Sequence, residues 1–167
     1  AVIGLEVHAQ MLTKSKAYSS DINEFGAQPN TNVSVITLGH PGTLPKMNRK
    51  TIEFAIKLGL ACESDIARSP HFARKNCFYP DLPKGYQITQ DKTPICTNGK
   101  IYIKGADGNE KTIGLTRIHM EEDAGKSIHD ADLYDTLVDL NRAGVPLLEI
   151  VSEPDLRSSQ EAYDYLT

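Results

Sequence analysis

Three adjacent carboxylates, Glu121, Glu122 and Asp123, end the run Leu115-Thr-Arg-Ile-His-Met120, and Gly125 and Lys126 follow just beyond. Like charges this close repel one another, so a fold that gathers them needs a cation to offset the cost. Carboxylates displayed at strand ends are a standard way to hold a divalent metal over a phosphorylated substrate. Glu6 and His8 stand two apart in a segment with β alternation, so both project from one face and can share one cation. Glu149 lies inside Leu147-Leu-Glu-Ile-Val151, an apolar run in which a lone carboxylate needs a partner. Glu122 falls on the side of its strand shared by Ile118 and Met120. Each of these residues has a bland alternative. Glu149 could salt-bridge to an arginine, and His8 could be a hydrogen-bonded core histidine. Spacing alone does not bring the segments together.

A second stretch, Phe72 to Gln87, interleaves cations with aromatic rings and contains a Pro-framed turn. Arg74, Lys75 and Lys84 could hold a phosphate or a carboxylate there, with Tyr79 and Tyr86 as walls. On charge pattern alone, a solvated loop with snorkelling lysines describes it better. The chain contains no P-loop, no Rossmann glycine fingerprint, no G-x-S-x-G and no H-E-x-x-H.

The elements that must position these groups read as a mixed set. The first strand puts Ile3, Leu5 and Val7 on one face and Gly4, Glu6 and His8 on the other. Residues 18–46 form a long irregular region rich in Asn, Ser, Gly and Pro, and a connection of that length is usually functional or externally supported. Asn48 caps a helix running to about Cys62, with Ile52, Ala55, Ile56, Gly59 and Leu60 as its buried stripe. A turn at Asp81–Gly85 leads into a strand over Tyr86–Gln90. Asn98-Gly99 predicts a hairpin over Cys96–Lys100. A turn at Gly105–Asn109 precedes a long strand, Lys111–Glu122. Asp135–Leu140 and Pro146–Val151 read as a last strand pair around the turn Asn141–Gly144. Ser158 and Glu161 form a capping box for a final helix. The sum is an α+β domain with an antiparallel sheet as its platform and helices on one side.

At 167 residues the chain has room for one domain with a real core. Hydrophobic content of 40%, mean hydropathy of −0.36 and no Trp describe an ordinary soluble protein. No apolar run reaches membrane-spanning length, so no membrane partner is expected. Cys62, Cys77 and Cys96 form no C-x-x-C and sit on separate segments, which predicts free thiols in a reducing compartment. A net charge of −4 excludes an electrostatic glove for nucleic acid, leaving only local groups such as Arg68, Arg74, Lys75 and Lys84. The chain opens inside a strand and stops about two turns into a helix, so it reads as a fragment of a longer protein.

Several motifs together resemble one family. Val2-Ile-Gly-Leu-Glu-Val-His8, Arg74-Lys-Asn76, Phe78-Tyr-Pro-Asp81, Pro83-Lys84, Tyr86-Gln-Ile88, His119-Met-Glu-Glu-Asp-Ala-Gly-Lys126, Asn141-Arg142 and Glu149-Ile-Val-Ser-Glu-Pro-Asp155 are similar to the B subunits of tRNA-dependent amidotransferases. The resemblance runs from the first residue to the last and covers roughly the first third of such a protein. It implies a catalytic-cradle fragment whose fold resembles the core of glutamine synthetase and guanidino kinases. It implies that ATP phosphorylates the side-chain carboxylate of Glu-tRNA(Gln) or Asp-tRNA(Asn), and that ammonia from a glutaminase partner then displaces phosphate. Implied partners are the amidase (A) and small (C) subunits of the amidotransferase and aminoacyl-tRNA, in a bacterial cytoplasm or an organellar matrix. By the same resemblance Glu6, His8, Glu122 and Glu149 are metal ligands for Mg2+ or Mn2+. Lys75 and Lys84 match channel-lining positions, and Arg74 is added as a carboxylate or phosphate contact. Some family members carry four cysteines in a small zinc knuckle; here those positions hold Ser19, Asp21, Ser34 and Thr37, so no zinc is expected. The competing readings are a non-catalytic scaffold for the amidase partner and a stand-alone amino-acid ligase.

Overall fold

The computed structural model describes residues 1–105 and 108–167. Its centre is a five-stranded antiparallel sheet that includes β1 (Glu6–Gln10), β5 (Cys96–Lys104), β6 (Glu110–Glu122) and β9 (Pro146–Ser152). The spatial order is β1-β9-β6-β5-β2, with β2 (Asp65–Ile66) at one edge. Two small hairpins flank it: β3 (Ala73–Asn76) with β4 (Tyr86–Thr89), and β7 (Lys126–Ile128) with β8 (Leu137–Asp139). Helix α1 (Arg49–Ala61) covers the sheet face that carries Ile118, Met120 and Leu148, burying Ala55 against Cys96 and Leu115. Helix α2 (Ser159–Leu166) packs Ala162 and Tyr165 on the same side, beside Ile103, Ile113 and Leu156. Neither helix is long and apolar enough to cross a membrane.

Local chemistry accounts for the helices. The Asn48 side chain accepts from the Lys50 N–H at 2.9 Å, one of the amides a helix leaves unpaired at its start. Ser158 accepts from the Glu161 N–H, and Glu161 reaches back to the Arg157 N–H, so α2 opens with two reciprocal caps. Within α1, Ile52, Ala55, Ile56 and Gly59 face inward as expected, whereas Leu60 is exposed and Leu58 packs in its place. Gly59 is required by space, since a Cβ there would meet the Cys96 sulfur at 2.4 Å. All three cysteines are free.

Three expectations about strands are corrected. Asn98-Gly99 is not a hairpin but a kink inside β5. Asn98 adopts φ 55°, and the Thr97↔Arg117 and Gly99↔Leu115 pairs continue on either side of it. Across the sheet, β6 carries a matching irregularity between Leu115 and Arg117, where it pairs with β9. That extra residue switches side-chain parity, so Leu115 and Ile118 both enter the core while Arg117, His119 and Glu121 share the opposite face. The reversal itself comes later, at the turn Gly105–Asn109, where the Gly105 and Gly108 N–H groups close the turn; residues 106 and 107 lie outside the described residues. The segment expected to pair with β9 instead pairs with β7. The apolar run of β9 is buried on both faces and takes a central place between β1 and β6. Finally, the basic–aromatic stretch is not a plain loop, because its residues 73–76 form β3.

The irregular region 18–46 contains no named helix or strand among the described residues and is held by hydrogen bonds. Ser19, Asp21, Ser34 and Thr37 meet in one knot. Asp21 Oδ2 accepts from the Thr37 hydroxyl at 2.5 Å and from the Ser34 N–H at 2.9 Å, and Ser19 Oγ lies 3.4 Å from Thr37 Oγ1. Lys16 is wholly buried beside this knot and donates to the Asn32 carbonyl at 2.7 Å. Burial lowers its pKa to about 8, with Asp21, Asp139 and Glu122 opposing the shift.

Both charges give pH signatures. Burial pushes the Asp21 carboxyl up, but the Thr37 hydroxyl, the Ser34 amide and hydroxyl and the Lys16 charge outweigh it and hold the group below the usual aspartate range. Its stabilisation is therefore present above the unfolded pKa and lost as pH falls through the lower folded value. Asp21→Asn should lose about 1–3 kcal/mol at neutral pH and show a flatter decline in acid, measured by urea unfolding. For Lys16 the folded pKa lies below the unfolded one, so the penalty of burying the cation is full below pH about 8 and fades as pH rises towards the ordinary lysine value. Wild type should gain stability relative to Lys16→Met across that alkaline window.

Candidate metal centre

On the sheet face away from α1, strand register sets side chains in rows. His8, Glu149 and His119 are consecutive partners across β1, β9 and β6. Glu6, Val151 and Arg117 form the next row on one side, and Gln10, Leu147 and Glu121 the next on the other. Directly opposite residues in neighbouring strands have Cβ atoms only about 4.5–5.5 Å apart, so this register forces the chemistry of the central row together. His8 Nε2 lies 3.3 Å from Glu149 Oε2, and His119 Nε2 lies 3.6 Å from the same oxygen. Glu121 Oε2 is 3.8 Å from His119 Nε2. One ligand atom from each of His119, Glu121 and Glu149 lies within 4.8 Å of the others, and all three residues are buried.

This donor set fits a divalent cation. Two carboxylates buried at close quarters need positive charge, while Lys75 Nζ stands 3.7 Å from Glu121 Oε1 and belongs to a half-exposed side chain. His119 Nδ1 is buried without a hydrogen-bond partner, an orphan polar atom beside the cluster. Burial raises the Glu121 carboxyl, but the His119 imidazole, the Thr89 hydroxyl and the Lys75 charge outweigh it and hold the group ionised below the usual glutamate range. The cluster opens on a cavity of about 500 Å³, whose other wall is the β3–β4 hairpin with Arg74 and Lys75. Arg74 is stacked 4.5 Å over the Tyr86 ring.

The structure brings His8 and Glu149 together, places Glu6 on the same face one row away, and does not bring Glu122 to the group. Alternation along β6 turns Glu122 to the α1 side, as its shared parity with Ile118 and Met120 requires. There Glu122 Oε1 accepts from Lys84 Nζ and from the Ile88 N–H at 3.0 Å. Lys84 sits beneath two aromatic rings, 5.1 Å from the Tyr86 centroid and 5.9 Å from that of Tyr18. Burial, with the charges of Glu122 and Glu121, pushes the Tyr18 phenol far above its ordinary range and keeps it neutral. Lys84 and Glu122 line a small opening with Tyr18, Thr37, Leu82 and Gly144. Of the expected cations, Arg74 and Lys75 therefore border the carboxylate cavity, and Lys84 borders this separate opening.

Sequence reasoning passes over two members of the cluster. In the chain His119 reads only as part of a strand, and Glu121 only as part of an acidic run. The signal that finds them is register, since His119 is the cross-strand neighbour of Glu149 and Glu121 follows it by two. Gln87 escapes as well. Its amide donates to Glu121 Oε1 at 3.1 Å and to the Glu122 carbonyl at 2.7 Å, fixing the point where the two glutamates part.

Comparison with known proteins agrees with the motifs. Residues 1–167 match the family model described as the GatB/GatE catalytic domain. The B subunit of the aspartyl/glutamyl-tRNA(Asn/Gln) amidotransferase of Myxococcus xanthus is 59% identical over 165 residues, covering 99% of this chain and 34% of that protein. Its counterparts in Clostridium tetani and Thermoanaerobacter pseudethanolicus are 55% and 56% identical, over 99% and 100% of this chain and 34% and 35% of those proteins. The chain thus spans about a third of the length of the curated relatives it matches. With the whole chain inside the family model and the acidic cluster on one sheet face, the protein belongs to the GatB/GatE catalytic-domain family.

Proposed function

We propose that this chain is the N-terminal part of a catalytic cradle that amidates misacylated tRNA with ATP. The observation that carries the reading is the row His8–Glu149–His119 with Glu121 beside it, a buried anionic cluster open to a cavity with a cationic opposite wall. Membership in a family whose relatives include aspartyl/glutamyl-tRNA(Asn/Gln) amidotransferases supports the substrate class. The antiparallel sheet with helices on one face is compatible with a core like that of glutamine synthetase and guanidino kinases, the first of which also brings a phosphorylated carboxylate to ammonia. The full reaction would need the amidase (A) and small (C) subunits as partners, with aminoacyl-tRNA as substrate.

A carboxylate is a poor acyl donor because its leaving group would be oxide. Phosphorylation of the aminoacyl side chain by ATP supplies a competent leaving group, and ammonia then displaces phosphate to form the amide. Glu149 and Glu121, with His8 and His119, would hold a divalent cation, and Glu6 flanks them. The chemistry such an ion supplies is neutralisation of the repulsion between the anionic carboxylate and the phosphates. Mixed imidazole and carboxylate donors suit Mn2+ as well as Mg2+. Arg74 and Lys75 on the facing hairpin offer the positive charge that holds phosphate or carboxylate in the cavity. Lys84 and Glu122 belong to the other side of the sheet, where they line a separate small opening of mixed apolar and polar residues that we assign to the arrival of ammonia.

Two substitutions separate these roles. In the natural protein assembled with its partner subunits, Glu149→Gln should abolish amidated tRNA and weaken Mn2+ binding at least about tenfold by titration calorimetry. Full turnover by that variant would reject the assignment. Glu122→Gln should leave the Mn2+ titration unchanged yet destabilise the fold by about 3–5 kcal/mol in denaturant unfolding, because it strands the buried Lys84 charge.

A further inference from the structure

We infer that Arg117 is a phosphate-binding residue of the carboxylate cavity, a role that rests on the phosphoryl-transfer reading above. Its position is set by the irregularity in β6. Because the extra residue between Leu115 and Arg117 sends Leu115 into the core, Arg117 joins His119 and Glu121 on the cavity face. It stands one row from Glu149, in register with Val151 and Thr97. Bulges re-aim side chains in this manner, and here the re-aimed side chain is the one cation that the central sheet contributes to the cavity wall among the described residues.

The guanidinium is only partly satisfied by the protein. Its Nε is buried without a hydrogen-bond partner, and its Nη2 approaches the largely exposed Asp91 only to 3.7 Å, beyond hydrogen-bond reach. A buried donor left unpaired costs free energy, and a planar fork with free N–H groups is suited to the tetrahedral oxygens of a phosphate. Across the cavity, Arg74 is engaged with the Tyr86 ring and Lys75 leans on Glu121. Lys92 also lines the cavity, but it comes from the segment after β4 and carries a point charge, whereas the fork of Arg117 stands on the central sheet beside the carboxylate cluster. A phosphate lying between this fork and a divalent cation held by that cluster would meet positive charge on both sides.

The phosphate has two candidate sources, the nucleotide or the phosphorylated aminoacyl group, and binding without tRNA distinguishes them. The test uses the natural protein with its partner subunits and the non-hydrolysable ATP analogue adenylyl imidodiphosphate, followed by calorimetry. Arg117→Met, which keeps most of the stem, should weaken the analogue about 10- to 100-fold. Arg117→Lys, which keeps the charge but not the fork, should recover only part of that loss. Mn2+ binding without nucleotide and the melting temperature should match wild type. If Arg117→Met binds the analogue normally but loses amidation, the contact is to the aminoacyl phosphate, and phosphate recognition by Arg117 still stands. Unchanged analogue binding together with unchanged amidation would overturn the inference. Failure of wild type to bind the analogue would instead overturn the phosphoryl-transfer reading, and this assignment with it.

Discussion

A single buried carboxylate in the middle of an apolar strand organises this molecule. Glu149 lies in β9, between β1 and β6, and its oxygen is met from both sides by imidazoles of His8 and His119. A charge in that position is intolerable without partners, so the sheet order and the chemistry constrain each other. Were β9 at an edge, Glu149 could reach water and the cluster would lose one of its two imidazoles. The central placement of β9, driven by the apolar residues on either side of Glu149, is what delivers the donors to one another.

Alternation along β6 then divides the work. Glu121 and Glu122 are adjacent in sequence yet serve opposite faces, one beside the imidazoles and the other bonded to Lys84 among aromatic rings. The carboxylates thus avoid the mutual repulsion that their adjacency suggests. Each is compensated separately, and neither shares the other's cavity.

Much of this was readable from the chain. The helix caps, the free cysteines, the long strand over Lys111–Glu122 and the Glu6–His8 face all follow from local rules that local residues satisfy. What escaped was non-local. Asn98-Gly99 carries the strongest short hairpin signal, but β6 and β2 supply partners that keep β5 running through it, and the left-handed Asn98 becomes a kink. The partner of β9 lies more than twenty residues upstream on one side and at the start of the chain on the other, and no spacing rule encodes that choice. His119 and Glu121 were hidden for the same reason, because a residue's cross-strand neighbour is set by register and not by sequence distance.

The Gln87 amide gives the architecture one more property. It reaches from the small hairpin to the carboxylate of one glutamate and to the backbone oxygen of the next. That side chain is a strut within a hairpin that borders both chambers, one through Ala73–Lys75 and the other through Leu82–Lys84. A tilt of the hairpin would therefore strain contacts at both glutamates at once, since the Gln87 amide is bonded at each.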